Sequence, residues 1–121
     1  MAGTRLSILV VDDDASLRLL CRVNLELEGF HVREAASAAE ARAAVAEARP
    51  DAVLLDVHLE SRGTSLELLD ELRAAGLHVA LVTGSADVNE LRLRADDVLA
   101  KPFLPEDLVT TARRLATVAS R

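Results

Sequence analysis

The stretch LSILVVDDDASLRLLCRVNLELEG (residues 6–29) changes its pattern at three consecutive aspartates. Residues 6–11 form a short apolar run rich in β-branched side chains, which is typical of a strand buried on both faces. From 15 to 28 the apolar residues recur at helical spacing, and Gly29 stands where a helix is expected to end. The predicted inner face of this helix consists of Leu17, Leu20, Cys21 and Leu25. The stretch therefore predicts a strand followed directly by a helix.

The same alternation of apolar runs and amphipathic segments continues to the end of the chain. Further strands are predicted at 30–35, 52–57, 78–83 and 97–100. Further helices are predicted from 37 through about 48, from 64 to about 76, from 87 through about 94 and from about 105 onward. With the helix at 15–28 counted as the first, the third helix is expected to begin at a capping box, TSLE (64–67). Strands that alternate with helices imply a parallel sheet covered on both faces. The sequence therefore predicts an α/β fold of five strand–helix units, in one domain over residues 1–121.

The aspartates that close the first strand, Asp12, Asp13 and Asp14, pose an electrostatic problem. Like charges repel one another, and burying them is costly unless something compensates. Taken alone, Asp14 is typical of a residue that starts a helix. Asp12 and Asp13 are either solvated turn residues or ligands of a cation, and their own positions leave both interpretations open.

Polar residues also follow the third, fourth and fifth predicted strands. Ligands of open parallel sheets bind beyond the carboxyl ends of the strands, so these residues are expected to converge. The set that would meet there is Asp12, Asp13, Asp56, Thr83 and Lys101. Carboxylate oxygens suit Mg²⁺, and a carboxylate can also be a nucleophile toward phosphorus. A lysine and a hydroxyl can stabilise the charge on phosphoryl oxygens. Each residue alone has a purely structural interpretation, but their coincidence at four strand ends favours a site for Mg²⁺ and phosphate.

Composition excludes several other classes of function. The chain has 121 residues and a formal net charge of −6, and it contains neither Tyr nor Trp. A basic face and aromatic stacking platforms, which direct nucleic-acid binding uses, are therefore not expected. No apolar run approaches the roughly 20 residues of a membrane span, and no secretory signal is evident, so a cytoplasmic location is expected. The single cysteine, Cys21, excludes an internal disulfide and is expected in the core.

Four motifs resemble those of the receiver domain of bacterial two-component response regulators. They are VVDDD (10–14), VLLDV (53–57), LVTG (81–84) and LAKPF (99–103). The resemblance covers about residues 6–118. It implies a flavodoxin-like, doubly wound three-layer sandwich with strand order 2-1-3-4-5.

The resemblance also implies the roles of individual residues. Asp56 would accept a phosphoryl group from a histidine kinase or a phosphotransfer protein. Asp13 and Asp56 would bind Mg²⁺ through their side chains, His58 through its backbone carbonyl and Asp12 largely through water. The chain would catalyse only its own phosphorylation and dephosphorylation, and it would not be an enzyme acting on other substrates.

The remaining implied roles concern switching and output. Thr83 would move toward the phosphate, and Lys101 would form an ion pair with it. Apart from the resemblance, the position of His58 two residues after Asp56 gives the hypothesis that its side chain tunes the access of water to the acyl phosphate, and Ser85 is a second candidate tuning residue. The output partner would be a separate effector protein or a fused domain outside this chain, with no direct contact to nucleic acid or membrane.

Three features depart from the pattern of the resembled family. The loop after Asp56 has Glu60 where the family has Pro, and it is one residue longer, with Gly63 displaced. The span from 83 to 101 is about four residues short, which predicts a shortened fourth helix. Val98 stands where the family has an aromatic residue that moves with the switch threonine. These departures leave an alternative open, in which the chain is a degenerate pseudo-receiver that binds a partner without phosphorylation.

One class of enzyme and one class of electron carrier with related folds fit the sequence less well. A phosphatase that forms an aspartyl-phosphate needs a second acid two residues after the nucleophile, and that position is His58. A flavin-binding electron carrier would place a phosphate at the first loop, where the three aspartates would repel it. The sequence therefore favours a receiver over either class.

Overall fold

The computed structural model describes residues 5–84 and 88–119. The strands are β1 (Ser7–Val11), β2 (His31–Ala35), β3 (Ala52–Asp56), β4 (Val79–Thr83) and β5 (Asp97–Ala100). The helices are α1 (Ala15–Leu27), α2 (Ala38–Glu47), α3 (Arg62–Ala74), α4 (Val88–Leu91) and α5 (Pro105–Ala119). Strands and helices alternate strictly, as the sequence predicts.

The five strands form one sheet in the order β2-β1-β3-β4-β5, and every neighbouring pair is parallel. The predicted strand order and doubly wound fold are thereby confirmed. The register places Val11 beside Leu55, and Asp56 beside Val82 on the next strand. The carboxyl ends of β1, β3 and β4 therefore lie at one edge of the sheet.

Alternate residues of the strands point into two separate apolar clusters. Leu9, Val53 and Leu55 belong to a cluster that also contains the buried residues of α2 and α3. Ile8 and Leu54 belong to the opposite cluster, which contains the buried residues of α1 and α5. Both clusters are almost fully shielded from solvent, as expected for a parallel sheet covered on both faces.

The inner face of α1 is narrower than its apolar pattern predicts. Cys21 and Leu25 are buried, and Leu17 is half-buried. Leu20 was predicted to join them, but its side chain is 47% exposed, so that prediction is wrong. The apolar stripe of α1 is wider than the surface that packs against it, so Leu20 at the edge of the stripe remains in contact with water. Burial raises the pKa of the Cys21 thiol to about 12, which fits its expected place in the core.

Side-chain caps set the starts of α1 and α3. Asp14 is the N-cap of α1 and accepts hydrogen bonds from the backbone N–H groups of Ser16 and Leu17. The N-cap of α3 is Ser61, whose Oγ accepts from the N–H of Thr64 at 3.0 Å. The predicted capping box at Thr64 is therefore wrong by three residues, because a second hydroxyl with the same capping ability precedes it.

The fourth helix is a single turn over Val88–Leu91, which confirms that it is shortened. Leu91 is buried in the cluster shared with α2 and α3, and Val88 packs against the same cluster, so two apolar side chains anchor this turn. The predicted start of this helix at residue 87 and the proposed tuning residue Ser85 both lie outside the described residues. In the part of the chain that the structure describes, no helix has the length and apolar character needed to cross a membrane.

Candidate functional site

Asp12 follows the last residue of β1 and is only 4% exposed. Its Oδ1 accepts a hydrogen bond from the backbone N–H of Asp14 at 2.8 Å. Its carbonyl oxygen accepts from the guanidinium of Arg18 at 2.6 Å, and the same guanidinium pairs with Glu34. These contacts fix the backbone of the loop that follows β1.

Burial raises the pKa of Asp12 from 3.8 to about 6. Burial is the largest cause, the negative charges of Asp56 and Asp13 add to the rise, and the Asp14 amide and the Lys101 ammonium partly offset it. The net direction shows that the folded protein disfavours a negative charge here. Such an acid is stabilised when a cation approaches it.

Three carboxylates meet at this edge of the sheet. One oxygen each from Asp12, Asp13 and Asp56 lies within 4.8 Å of the other two. Asp12 and Asp56 are buried, and Asp13 is exposed. A compact set of carboxylate oxygens with one side open to solvent suits Mg²⁺, which takes oxygen ligands and keeps several waters. The donor set is therefore chemically compatible with this ion.

Lys101 brings a cation to the same site from the other end of the chain. Its ammonium Nζ lies 3.6 Å from Oδ1 of Asp56, which is 5% exposed. The backbone N–H of Lys101 donates to the carbonyl of Thr83 at 2.8 Å, so the pairing of β4 with β5 continues one residue past the strand. The Lys101–Pro102 peptide bond that follows is cis.

Thr83 lies at the same edge of the sheet, but its side chain is on the opposite face from those of Asp12 and Asp56. Asp12 and Asp56 continue the rows of Val10 and Leu54, which belong to the cluster under α1 and α5. Thr83 continues the row of Leu81, which belongs to the other cluster. Thr83 is fully buried at the end of β4. The edge therefore places the acids in one row and the hydroxyl in the other.

Val98, the predicted departure on β5, is 5% exposed. It lies in the same apolar cluster as Leu91 of α4 and Leu81 of β4. The position is thus filled by a small core side chain beneath the short helix.

The loop after β3 carries the other departures from the family pattern. Glu60 has a positive φ of 59°, which is uncommon for a residue other than glycine. Its N–H lies 3.4 Å from Oδ2 of Asp13, and its Oε1 lies 3.4 Å from the N–H of Ala38. Glu60 therefore links the loop to the acidic cluster and to the start of α2. His58 is exposed, and Leu59 is fully buried.

One buried polar residue near the site was missed by the sequence interpretation. Ser65 has no exposed surface, and its hydroxyl contacts the backbone of Asp56 and Leu59. Its only signal in the sequence is its spacing of three and four residues before Leu68 and Leu69, which places it on the inner face of α3. That spacing predicts burial and does not reveal the hydrogen bonds.

The chain is similar to known proteins over most of its length. Residues 8–113 match the family model described as "Response regulator receiver domain". The chain is 39% identical over 118 residues to the DNA-binding response regulator MtrA of Mycobacterium tuberculosis, with 93% of this chain and 51% of that protein covered. It is 40% identical over 114 residues to the response regulator MprA of a Mycobacterium species, with 89% of this chain and 49% of that protein covered. The chain thus spans about half the length of these curated relatives.

Solved structures show the same fold. The receiver domain of NtrX from Brucella abortus superposes with a TM-score of 0.82 at 36% identity, covering 91% of this chain and 98% of that one. A CheY-like response regulator receiver domain protein from Methanospirillum hungatei superposes with a TM-score of 0.84 at 29% identity, covering 97% of this chain and 98% of that one. Sequence match, strand order and the acids at the strand ends agree, and the chain belongs to the family of response regulator receiver domains of two-component systems.

Proposed function

We propose that Asp56 is the phosphoacceptor of this receiver domain and that its phosphorylation depends on Mg²⁺. The main support for this proposal is the set of charged groups around the Asp56 carboxylate. Asp56 is buried at the end of β3, its oxygen lies within 4.8 Å of those of Asp12 and Asp13, and the Lys101 ammonium is 3.6 Å away. A plain strand end gains nothing from a nearly buried acid among two others.

In phosphoryl transfer, the protein contributes mainly by positioning the reacting groups and by neutralising charge. A carboxylate oxygen of Asp56 attacks the phosphorus of the donor, and the bond to the donor's leaving group breaks. Mg²⁺ held by the carboxylates would supply charge neutralisation for the phosphoryl oxygens. Lys101 supplies a second positive charge that is already in contact with Asp56 before transfer. The Thr83 hydroxyl donates a hydrogen bond to a third oxygen once it reaches the phosphoryl group.

The proposed metal ligands are the carboxylates of Asp13 and Asp56, the backbone carbonyl of His58 and, largely through water, Asp12. The support lies in the chemistry of the donor set, which is entirely oxygen and contains three carboxylates. The raised pKa of Asp12 supports it as well, because a group that resists charging in the free protein gains stability beside a cation.

The proposed donor is a histidine kinase or a phosphotransfer protein, and the output is a change in a protein-interaction surface. The side chains of His58, which is exposed, and of Ser85 are proposed to tune the lifetime of the phosphoryl group. The aromatic coupling that the resembled family uses has no counterpart at Val98, which is a small buried side chain. We therefore expect output to depend on Thr83 and the β4–α4 segment without a moving aromatic ring.

The effector is proposed to lie outside the residues seen here. The matched relatives are about twice as long as the aligned region, and one of them is named as DNA-binding. In this chain the net charge is −6, which argues against direct nucleic-acid contact by the receiver itself.

Incubation with acetyl phosphate and Mg²⁺, followed by intact-mass measurement, tests the proposal. The wild-type chain is expected to gain one phosphoryl group, and chelation of the metal is expected to prevent the gain. Asp56→Asn is expected to abolish it, while Asp70→Asn, on the exposed face of α3, is expected to leave it unchanged. Absence of an adduct, or an adduct that persists in Asp56→Asn, would contradict the proposal. If no adduct forms although a separate titration shows that the chain binds Mg²⁺, the pseudo-receiver alternative is supported.

A further inference from the structure

Ser65 lies in the first turn of α3 and has no solvent-exposed surface. Its backbone N–H donates to the carbonyl of Ser61 at 3.1 Å, as in any helix. The capping of α3 is performed by the Ser61 hydroxyl, which accepts from the N–H of Thr64. The Ser65 hydroxyl is therefore not needed to start the helix.

This hydroxyl joins the two ends of the turn that follows Asp56. Its Oγ accepts a hydrogen bond from the N–H of Leu59 at 2.8 Å. It lies 2.8 Å from the carbonyl oxygen of Asp56 and 3.4 Å from that of Leu59. A hydroxyl has one proton, so it donates to the nearer carbonyl, that of Asp56. Both bonds are buried, and the Leu59 N–H also lies 3.3 Å from the Asp56 carbonyl. Without the Ser65 hydroxyl, this longer contact alone would join the two groups, with no water to replace the lost partner.

The bond to Leu59 also orients the residue before it. The peptide bond between His58 and Leu59 is trans and planar, so its C=O and N–H point in opposite directions. Because the N–H points at the Ser65 hydroxyl, the His58 carbonyl must point away from the helix interior. Rotation of this peptide unit would break the bond to Ser65.

Two backbone contacts also hold this geometry, the 3.3 Å contact between the Leu59 N–H and the Asp56 carbonyl and a bond of 2.5 Å from the Ser61 N–H to the Leu59 carbonyl. A proline at position 60 would fix its own φ, but the residue here is Glu60, which has a φ of 59°. Its two hydrogen bonds to Asp13 and Ala38 are both 3.4 Å long and exposed or half-buried. The short, fully buried contacts of Ser65 are stronger constraints on the turn.

We propose that Ser65 is a positioning residue for the divalent metal. Its hydroxyl holds the His58–Leu59 peptide unit and the Asp56 backbone, so that the His58 carbonyl and the Asp56 carboxylate are both presented to one ion. The inference rests on the proposed Mg²⁺ site and deepens it. It adds a residue of α3 that supports two ligands and touches neither the ion nor the phosphoryl group.

The test is the affinity for Mg²⁺ alone, measured by calorimetric titration of the unphosphorylated chain. Ser65→Ala is expected to raise the Mg²⁺ dissociation constant about tenfold, the lower end of what loss of a supporting hydrogen bond causes at metal sites. Ser65→Cys, with a similar size and a weaker hydrogen-bonding group, is expected to fall between wild type and Ser65→Ala. Equal affinity in wild type and Ser65→Ala would overturn the proposal.

The matched control is Ser61→Ala, which removes the cap of the same helix. It is expected to lower the stability of α3 without altering Mg²⁺ affinity, since the Ser61 side chain does not bond to the turn between Asp56 and Leu59. If Ser61→Ala weakens Mg²⁺ binding as much as Ser65→Ala does, the effect is one of helix stability and the proposal fails. If wild type itself binds no Mg²⁺, the proposed function fails first.

A measurement on the wild type decides the matter even if Ser65→Ala does not fold. When a carbonyl binds a cation, the amide nitrogen of the same peptide unit changes its chemical shift. In an NMR titration with Mg²⁺, the Leu59 amide nitrogen is therefore expected to shift together with the Asp12 and Asp13 resonances. The Leu59 N–H is also expected to exchange slowly with solvent. A Leu59 resonance that stays fixed while the aspartates respond, or a rapidly exchanging Leu59 amide, would overturn the proposal.

Discussion

Two groups of aspartates lie at opposite ends of the sheet, and their charges are balanced differently. The first group, Asp12, Asp13 and Asp56, lies at the carboxyl ends of the strands, with the Lys101 ammonium 3.6 Å from one of the three. The second group is Asp96 and Asp97, at the amino end of β5. The arginines paired with this second group are Arg73, Arg92 and Arg114.

The carboxylates of the second group also accept hydrogen bonds from the backbone. Asp96 accepts a hydrogen bond from the N–H of Val79 at 2.8 Å, and Asp97 accepts from the N–H of Val98 at 2.8 Å. These bonds tie down the amino ends of β4 and β5. Its acids thus stabilise the protein. In the first group, burial and, to a smaller extent, the neighbouring carboxylates raise the pKa of Asp12, and three acids face one lysine. The comparison teaches that an excess of like charge, rather than a count of acids, distinguishes a site from a structural ion-pair network.

The largest effect is expected for Lys101, which carries the positive charge nearest the proposed acceptor. Lys101→Met is expected to reduce the initial rate of phosphorylation by acetyl phosphate about 100-fold, because one preorganised charge at a transferring group is worth roughly that much. Arg92→Met, which removes a cation from the second group, is expected to leave the rate unchanged. Equal rates for Lys101→Met and wild type would show that this lysine is only an ion-pair partner.

The second largest effect is expected for a substitution of Asp12 that should stabilise the protein. Asp12→Asn is expected to increase the free energy of unfolding at neutral pH without divalent metal. The pKa of Asp12 is raised from 3.8 to about 6, and one pKa unit is about 1.4 kcal/mol. Because the site is open to solvent beside Asp13 and water screens the charge there, the expected gain is about 1–2 kcal/mol. Urea unfolding in the presence of a chelator measures it. Asp14→Asn is the control, because Asn caps a helix as well as Asp does. A destabilised Asp12→Asn would mean that the first group is not electrostatically strained.

The matching change in the second group is expected to have the opposite sign. Asp97→Asn keeps the shape of the side chain but removes the charge that Arg92 and Arg114 contact. Ion pairs of this partly exposed kind contribute little, so the free energy of unfolding is expected to fall by about 0.5–1 kcal/mol. The same urea experiment measures the change. A gain in stability here would erase the distinction between the two groups.

The smallest effect is expected when one of the paired arginines is removed. The Arg92 side chain is 52% exposed, and Asp97 keeps Arg114 as a partner. Arg92→Gln is therefore expected to change the free energy of unfolding by less than about 0.5 kcal/mol. A much larger loss would indicate that the arginines act as a cooperative network.

Much of the site could be predicted because its signals are local. Asp12 and Asp56 each follow an apolar run of strand length, and the parallel order of the strands is enough to bring such residues to one edge. Ser65 could not be predicted in this way. Its partners are backbone groups of a turn, and the geometry of that turn depends on loop residues with no regular period.

The start of α3 and the exposure of Leu20 show the same limit inside helices. Ser61 and Thr64 both have the side chain that a cap needs, and only the path of the loop decides between them. Leu20 has the spacing of a core residue, yet the elements packed against α1 leave it 47% exposed. Periodicity gives the direction of a side chain, but the width of the covering surface comes from residues far away in the chain.

By itself, the sequence determined the α/β class, the five units and the identity of the acids and the lysine at the strand ends, while the shortened fourth helix was predicted from the spacing of the resembled family. These follow from patterns with periods of two and 3.6 residues and from spacings within one segment. Tertiary structure alone decided that Asp12 is buried while Asp13 is exposed, that the Lys101 ammonium pairs with the unmodified Asp56 carboxylate at 3.6 Å, and that Ser65 closes the turn beside them. Burial and electrostatic strain depend on groups brought together from distant parts of the chain, so they arise only when the sheet and its helices are assembled.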